Sequence, residues 1–194
     1  MKLRNLSDLF LYELCTLSDA KKQVIAVLLR MSRLASTCEL REQLKTDADN
    51  AKAHMDVIRT IMCSYQGISP ARTCAAMNGL IASSDLLFNT CIATNAGALD
   101  AALICAWLDI VHHELARLER LRLYAKLLSD CQTVAILNAV LDEVTEAKHR
   151  LAELIGRYIN LDSVSDPEPI PVPGDTPASP QNSHTKTIDT LIAG

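Results

Sequence analysis

The stretch TLSDAKKQVIAVLL (residues 16–29) decides the fold, and one of its residues breaks the pattern it belongs to. Extended in both directions, it carries Phe10, Leu14, Leu17, Val24, Leu28, Met31 and Ala35 along a single helical face. The steps are four or three residues, except for one gap of seven between Leu17 and Val24. Lys21 fills that gap at the correct spacing. A long amphipathic helix therefore places an ammonium in the middle of its apolar stripe, where a charge is costly unless it is paired.

The same reading continues along the chain. Helices are predicted over 6–35, with Ser7 or Asp8 near the start, and over 37–65, with Thr37 as cap and Glu39 and Glu42 in the first turns. A shorter helix covers 71–90, and long ones cover 97–128 and 132–158. The breaks fall at GISP (67–70) and ATNAG (93–97). Four long helices and a short one imply an all-α, antiparallel four-helix bundle with one extra short helix. Composition changes after Asn160: six of the seven prolines lie between 167 and 180. A bundle domain over 1–159 is thus followed by a Pro-rich, disordered tail over 160–194, prone to polyproline II and unable to join a helical core. Its apolar tip, KTIDTLIAG, is either a frayed end or a tethered docking peptide for a protein partner.

Lys21 is not the only charge in a stripe. The second helix carries Leu40, Leu44, Asp47, Ala51, His54, Ile58, Ile61 and Tyr65, with Asp47 and His54 in the apolar row. The fourth carries Ile104, Trp107, Val111, Glu114, Leu118, Leu121 and Ala125, with Glu114 at mid-row. The fifth carries Leu137, Val140, Val144, Ala147, Leu151 and Leu154, with Glu143 at the margin. Intrusions at similar depth on separate helices are explained together if the charges meet one another.

Several function classes are excluded. A net charge of −4 offers no basic face for nucleic acid or an anionic membrane. No window approaches the roughly 20 uninterrupted apolar residues of a membrane helix, and no targeting signal is visible, so a cytoplasmic protein is expected. The seven cysteines form no CxxC pair and read as free thiols in a reducing compartment. There is no phosphate-cradling loop, nucleophile elbow or HExxH motif.

Inward Glu, Asp and His from four helices are how ferritin-like bundles build a two-metal carboxylate site. Here the donor set is poor. Glu146 and His149 have Glu-x-x-His spacing but fall off the stripe. In HHE (112–114), adjacent side chains diverge by about 100° around the helix, so only one of the three faces the core. His54 and His112 read as ordinary hydrogen-bonded histidines.

The segments DLFLYEL (8–14), DAKKQ (19–23), CAAMNGLIA (74–82), DAALI (100–104), HHELA (112–116) and LDE (141–143), in this order, resemble the YciF/YciE family of bacterial ferritin-like, stress-associated proteins. The resemblance covers about residues 4–158. It implies a ferritin-like bundle, a di-iron carboxylate ancestry and association into dimers. This chain departs from the family pattern where it matters. Lys21 stands where the first helix has an inward Glu, and Asp47 and Asn50 stand where the second offers His and Glu. Val111 replaces a Glu while His112 and Glu114 remain, Val144 replaces a Glu beside the retained Glu143, and Ser83 stands where a Glu is common.

The departures suggest that the Lys21 ammonium takes the place of the metal cation in a buried ion cluster with Asp47 and Glu114. The alternative for Lys21 is snorkelling, with its stem on apolar surface and its head in water. The expected function is a non-catalytic, stress-associated homodimer or interaction protein without cofactor. The alternative is an iron protein with a reduced site drawn from Asp47, His112, Glu114 and Glu143, and with oxidase or iron-handling activity.

Overall fold

A computed structural model describes residues 3–65, 72–91 and 96–162. The break at Gly67 and Pro70 and the Pro-rich segment from 163 onward lie outside the described residues. The described chain is all helix: α1 (Leu6–Leu34), α2 (Cys38–Ser64), α3 (Ala75–Cys91), α4 (Ala96–Leu127) and α5 (Cys131–Asp162).

Local chemistry sets the helix ends. Ser7 and Asp8 lie in the first turn of α1, and Asn5 caps it by accepting from the Asp8 backbone N–H at 2.8 Å, while Asp8 accepts from the Arg4 N–H at 3.0 Å. Thr37 caps α2 through the Leu40 N–H. Asp130 starts α5 by accepting from both the backbone N–H and the hydroxyl of Thr133, and Ser129 before it takes a positive φ of 59° to make the tight turn from α4. α5 runs to Asp162 instead of ending near 158. α3 begins at Ala75, later than the spacing predicts.

Side-chain contacts give the helix directions. Asp100 near the start of α4 reaches Ser36 and Thr37 at the end of α1, so α4 runs antiparallel to α1. Arg157 late in α5 meets Glu39 at the start of α2, so those two are antiparallel as well. The start of α3 lies by the middle of α1, where the Cys74 N–H donates to Asp19, and Asp85 later in α3 pairs with Arg30 later in α1. α3 therefore runs beside α1 and returns the chain to the far end before α4 begins. The long helices run up, down, down and up, the order of a ferritin-like bundle with one long crossover.

The core is filled by the stripes that periodicity predicts, Phe10, Leu14, Leu17, Val24, Leu28 and Met31 from α1 with Leu40, Leu44, Ile58, Ile104, Leu118, Leu121, Leu137 and Leu151, and by Leu103 beside the α4 stripe. α3 buries Met77, Ser84 and Phe88, packs Leu80 and Ile81 partly against the core, and leaves Leu86 and Leu87 exposed.

One buried acid, four residues ahead of Ile104 at the head of the α4 stripe, ties the ends together. Asp100 is 0% exposed and accepts from the Ser36 N–H and Oγ–H, both at 2.7 Å, and from the Thr37 N–H at 3.2 Å. It satisfies amides that the α1–α2 reversal leaves without helical partners. Asp100→Ala should lower stability by about 2 kcal/mol, the scale of hydrogen bonds to a charged acceptor. Urea unfolding checks this, and an unchanged midpoint would mean that water replaces the carboxylate at no cost.

Candidate functional site

The stripe positions singled out above converge midway along the bundle. Lys21 is 1% exposed, so it does not snorkel to water. Its Nζ donates to Glu114 Oε2 on α4 at 3.0 Å and lies 3.3 Å from His54 Nδ1 on α2. An ammonium can only donate, so Nδ1 is the acceptor and the imidazole proton sits on Nε2. That Nε2–H donates to Glu143 Oε2 on α5 at 2.8 Å. The result is a chain, Glu114–Lys21–His54–Glu143, that takes one side chain from each long helix. Glu114 lies at its buried end, and the Glu143 side chain is 62% exposed at the other.

Asp47 differs from its expected role. It takes its partners from outside the chain: Trp107 Nε1–H donates to Oδ2 at 2.9 Å and Gln43 Nε2 to Oδ1 at 3.0 Å, with Arg150 at 3.9 Å. It lines the same cavity as Lys21, but neutral donors and an arginine hold its charge. Burial raises its pKa, while the bonds from Trp107 and Gln43 and the charge of Arg150 oppose the rise. His112 is exposed on α4 and does not join the cluster, and His113 is half-buried. Of HHE, only Glu114 enters the core. Glu146 and His149 are exposed.

His54 was legible as a stripe residue but not as the bridge. Its pKa is lowered, first by burial and then by the Lys21 charge, against the pull of Glu143. The stripe pattern does not single out Arg117. It is buried one turn beyond Glu114 and binds Glu13 at 2.9 Å, Thr16 Oγ1 and Cys74 Sγ, a second ionic link between α1 and α4. Arg117 follows Glu114 by three residues, so the two share one face of α4.

A di-iron centre of the kind the fold family implies needs donors with free lone pairs. Glu114 Oε2 and His54 Nδ1 each direct one at an ammonium proton, and a dication placed between them would be repelled by Lys21. Among the described residues, no three or more His, Cys, Asp or Glu side chains form a group that could hold a metal ion. The donor set as arranged does not fit such a centre.

Two consequences are measurable. Lys21→Met leaves Glu114 buried without a counter-charge and should cost about 3–5 kcal/mol in urea unfolding. Adding Glu114→Leu should recover most of that loss, and a single variant as stable as the parent would refute the pairing. For His54, a folded-state pKa below the ordinary value of 6.5 means that the neutral ring contributes stability above that pH. This contribution is lost as pH falls below 6.5 and the unfolded chain takes up the proton first. The raised pKa of Asp47 acts in the opposite sense, relieving a cost on acidification. The unfolding midpoint of the parent should therefore drop relative to that of His54→Gln between about pH 7 and 5. Parallel curves would sink the assignment.

The comparisons with known proteins agree with this architecture. A family model described as a domain of unknown function, DUF892, matches residues 5–163. Protein YciF of Escherichia coli K12 is 24% identical over 161 residues, covering 82% of this chain and 96% of YciF. The crystal structure of the E. coli stress protein YciF superposes with a TM-score of 0.76 at 23% identity, covering 82% of this chain and 99% of that one. YcfI of Rhodopseudomonas palustris superposes with a TM-score of 0.74 at 22% identity, covering 78% and 95%. Among the described residues no helix is long and apolar enough to cross a membrane. With most of its length matched, the chain belongs to the DUF892 family and is a distant homologue of the E. coli stress protein YciF.

Proposed function

We propose that this protein is a non-catalytic, stress-associated member of its family in which the Lys21 ammonium does the structural work of a metal ion. One observation carries the reading: Lys21 Nζ lies between Glu114 Oε2 and His54 Nδ1 at the centre of the bundle. A cation joining acidic and imidazole side chains from separate helices is what a carboxylate-bridged metal supplies in a ferritin-like bundle. Here the cation is covalently attached to α1. It does not dissociate, it has no second oxidation state, and it accepts no oxygen ligand. A bundle built this way keeps its shape whether or not iron is available.

On this reading the protein works in the cytoplasm as a homodimer and acts by contact, with a further protein engaged through residues 160–194. The stress association comes from kinship with YciF, which is described as a stress protein. The exposed Leu86 and Leu87 of α3 and Leu123 and Leu127 of α4 provide apolar surface for such contacts.

Metal stoichiometry tests the reading. Protein purified without an affinity tag and reloaded anaerobically with ferrous iron should hold less than about a tenth of a metal per chain by plasma mass spectrometry, since the resident ammonium repels a dication. Tightly held iron at one or two per chain would overturn it and make Asp47, Glu114 and Glu143 the ligands to mutate next.

A further inference from the structure

The hydrogen bonds of the cluster leave two groups over, and both belong to the same ion pair. Glu114 is 1% exposed and uses only Oε2; its Oε1 is buried without a hydrogen-bond partner. An ammonium has three N–H donors. Glu114 and His54 take two of those on Lys21. A spare acceptor and a spare donor thus belong to side chains in direct contact, and a buried polar group left unmatched is a cost that native structures avoid.

Beside them lies a cavity of about 20 Å³, lined by Lys21, Asp47, Asn50, His54, Glu114 and Glu143 among others. A water molecule needs roughly 10–15 Å³ and two to four polar partners. The cavity meets both requirements for one water. Charge restricts the occupant further. A metal or alkali cation would face the Lys21 ammonium, and an anion would face the carboxylates of Glu114, Asp47 and Glu143. A small neutral molecule that both donates and accepts is left.

We infer that this cavity is a binding site for a single structural water, which accepts the third Lys21 proton and donates to Glu114 Oε1. The inference rests on the reading that Lys21 occupies the centre of the bundle. The water completes the coordination of the ammonium and closes a ring with the Lys21–Glu114 pair. Trp107, apolar Val111 and Val144 and the small Ala51 and Ala147 form the remaining walls.

The test is a high-resolution crystal structure of the full chain grown in rubidium chloride, with diffraction recorded at the rubidium and iron edges. The expected result is one peak with no anomalous signal, within about 2.6–3.2 Å of both Lys21 Nζ and Glu114 Oε1. No peak there, or Oε1 bonded directly to a side chain, overturns the water and leaves the Lys21-centred reading standing. A rubidium signal overturns the claim that the occupant is neutral. An iron signal with Lys21 displaced overturns both. In solution, oxygen-17 relaxation dispersion of the parent should include one long-lived buried water that Ala147→Val lacks. Equal dispersion in the two proteins would overturn the assignment to this cavity.

Discussion

A lysine ammonium with 1% exposure has to be answered from several directions at once, and the rest of this bundle is arranged around that demand. One carboxylate balances its charge, but an ion pair taken out of water is stable only when its remaining protons and lone pairs are also used. Glu114 from α4 supplies the charge and His54 from α2 supplies a neutral acceptor. Glu143 from α5 anchors the far side of that imidazole. One residue from each long helix is required, so the relative depth of all four is specified together. An axial slip of one helix by a turn would strand Lys21, and apolar stripes alone do not penalise such a slip as strongly.

The other polar contacts in the interior follow the same logic at different heights. Arg117 with Glu13 joins α1 to α4 toward one end, and Asp100 holds the α1–α2 reversal at the other. Asp47 is satisfied by Trp107 and Gln43, which keeps its carboxylate apart from the Lys21 chain. The long crossover is needed because α2 and α4 run in the same direction. α3 fills it by running back along α1, with Arg30 and Asp85 pairing near its end.

This arrangement also bears on the chemistry open to the family's fold. In a bundle where a metal links acidic side chains, the link can be lost, replaced or oxidised. On the proposed reading, the lysine makes that link part of the chain. Burial and the neighbouring ammonium hold the pKa of the central His54 ring down, so acidification works against this link.

Much of this was written in the local pattern. The apolar steps of four and three in α1, α2, α4 and α5 come from the 3.6-residue period, which needs no partner to be read. Lys21, Asp47, His54 and Glu114 were visible as intrusions because each falls on such a stripe. Glu143 showed only as a marginal residue. Which intrusion meets which was not visible. Partner choice depends on the axial depth and rotation of helices that lie 33 or 93 residues apart in the chain. The stripe positions alone also allowed Lys21 to meet Asp47, whose partners are instead Trp107 and Gln43. Asp100 and Arg117 went unread because burial at a helix end or beside a stripe is set by the neighbouring element. Sequence alone determined that these helices exist and that charges lie on their inner faces, because helix periodicity is a local property. Tertiary structure alone decided that His54 bridges and that Asp47 stands aside, because a hydrogen bond forms over about 3 Å and only packing places two helices to that tolerance.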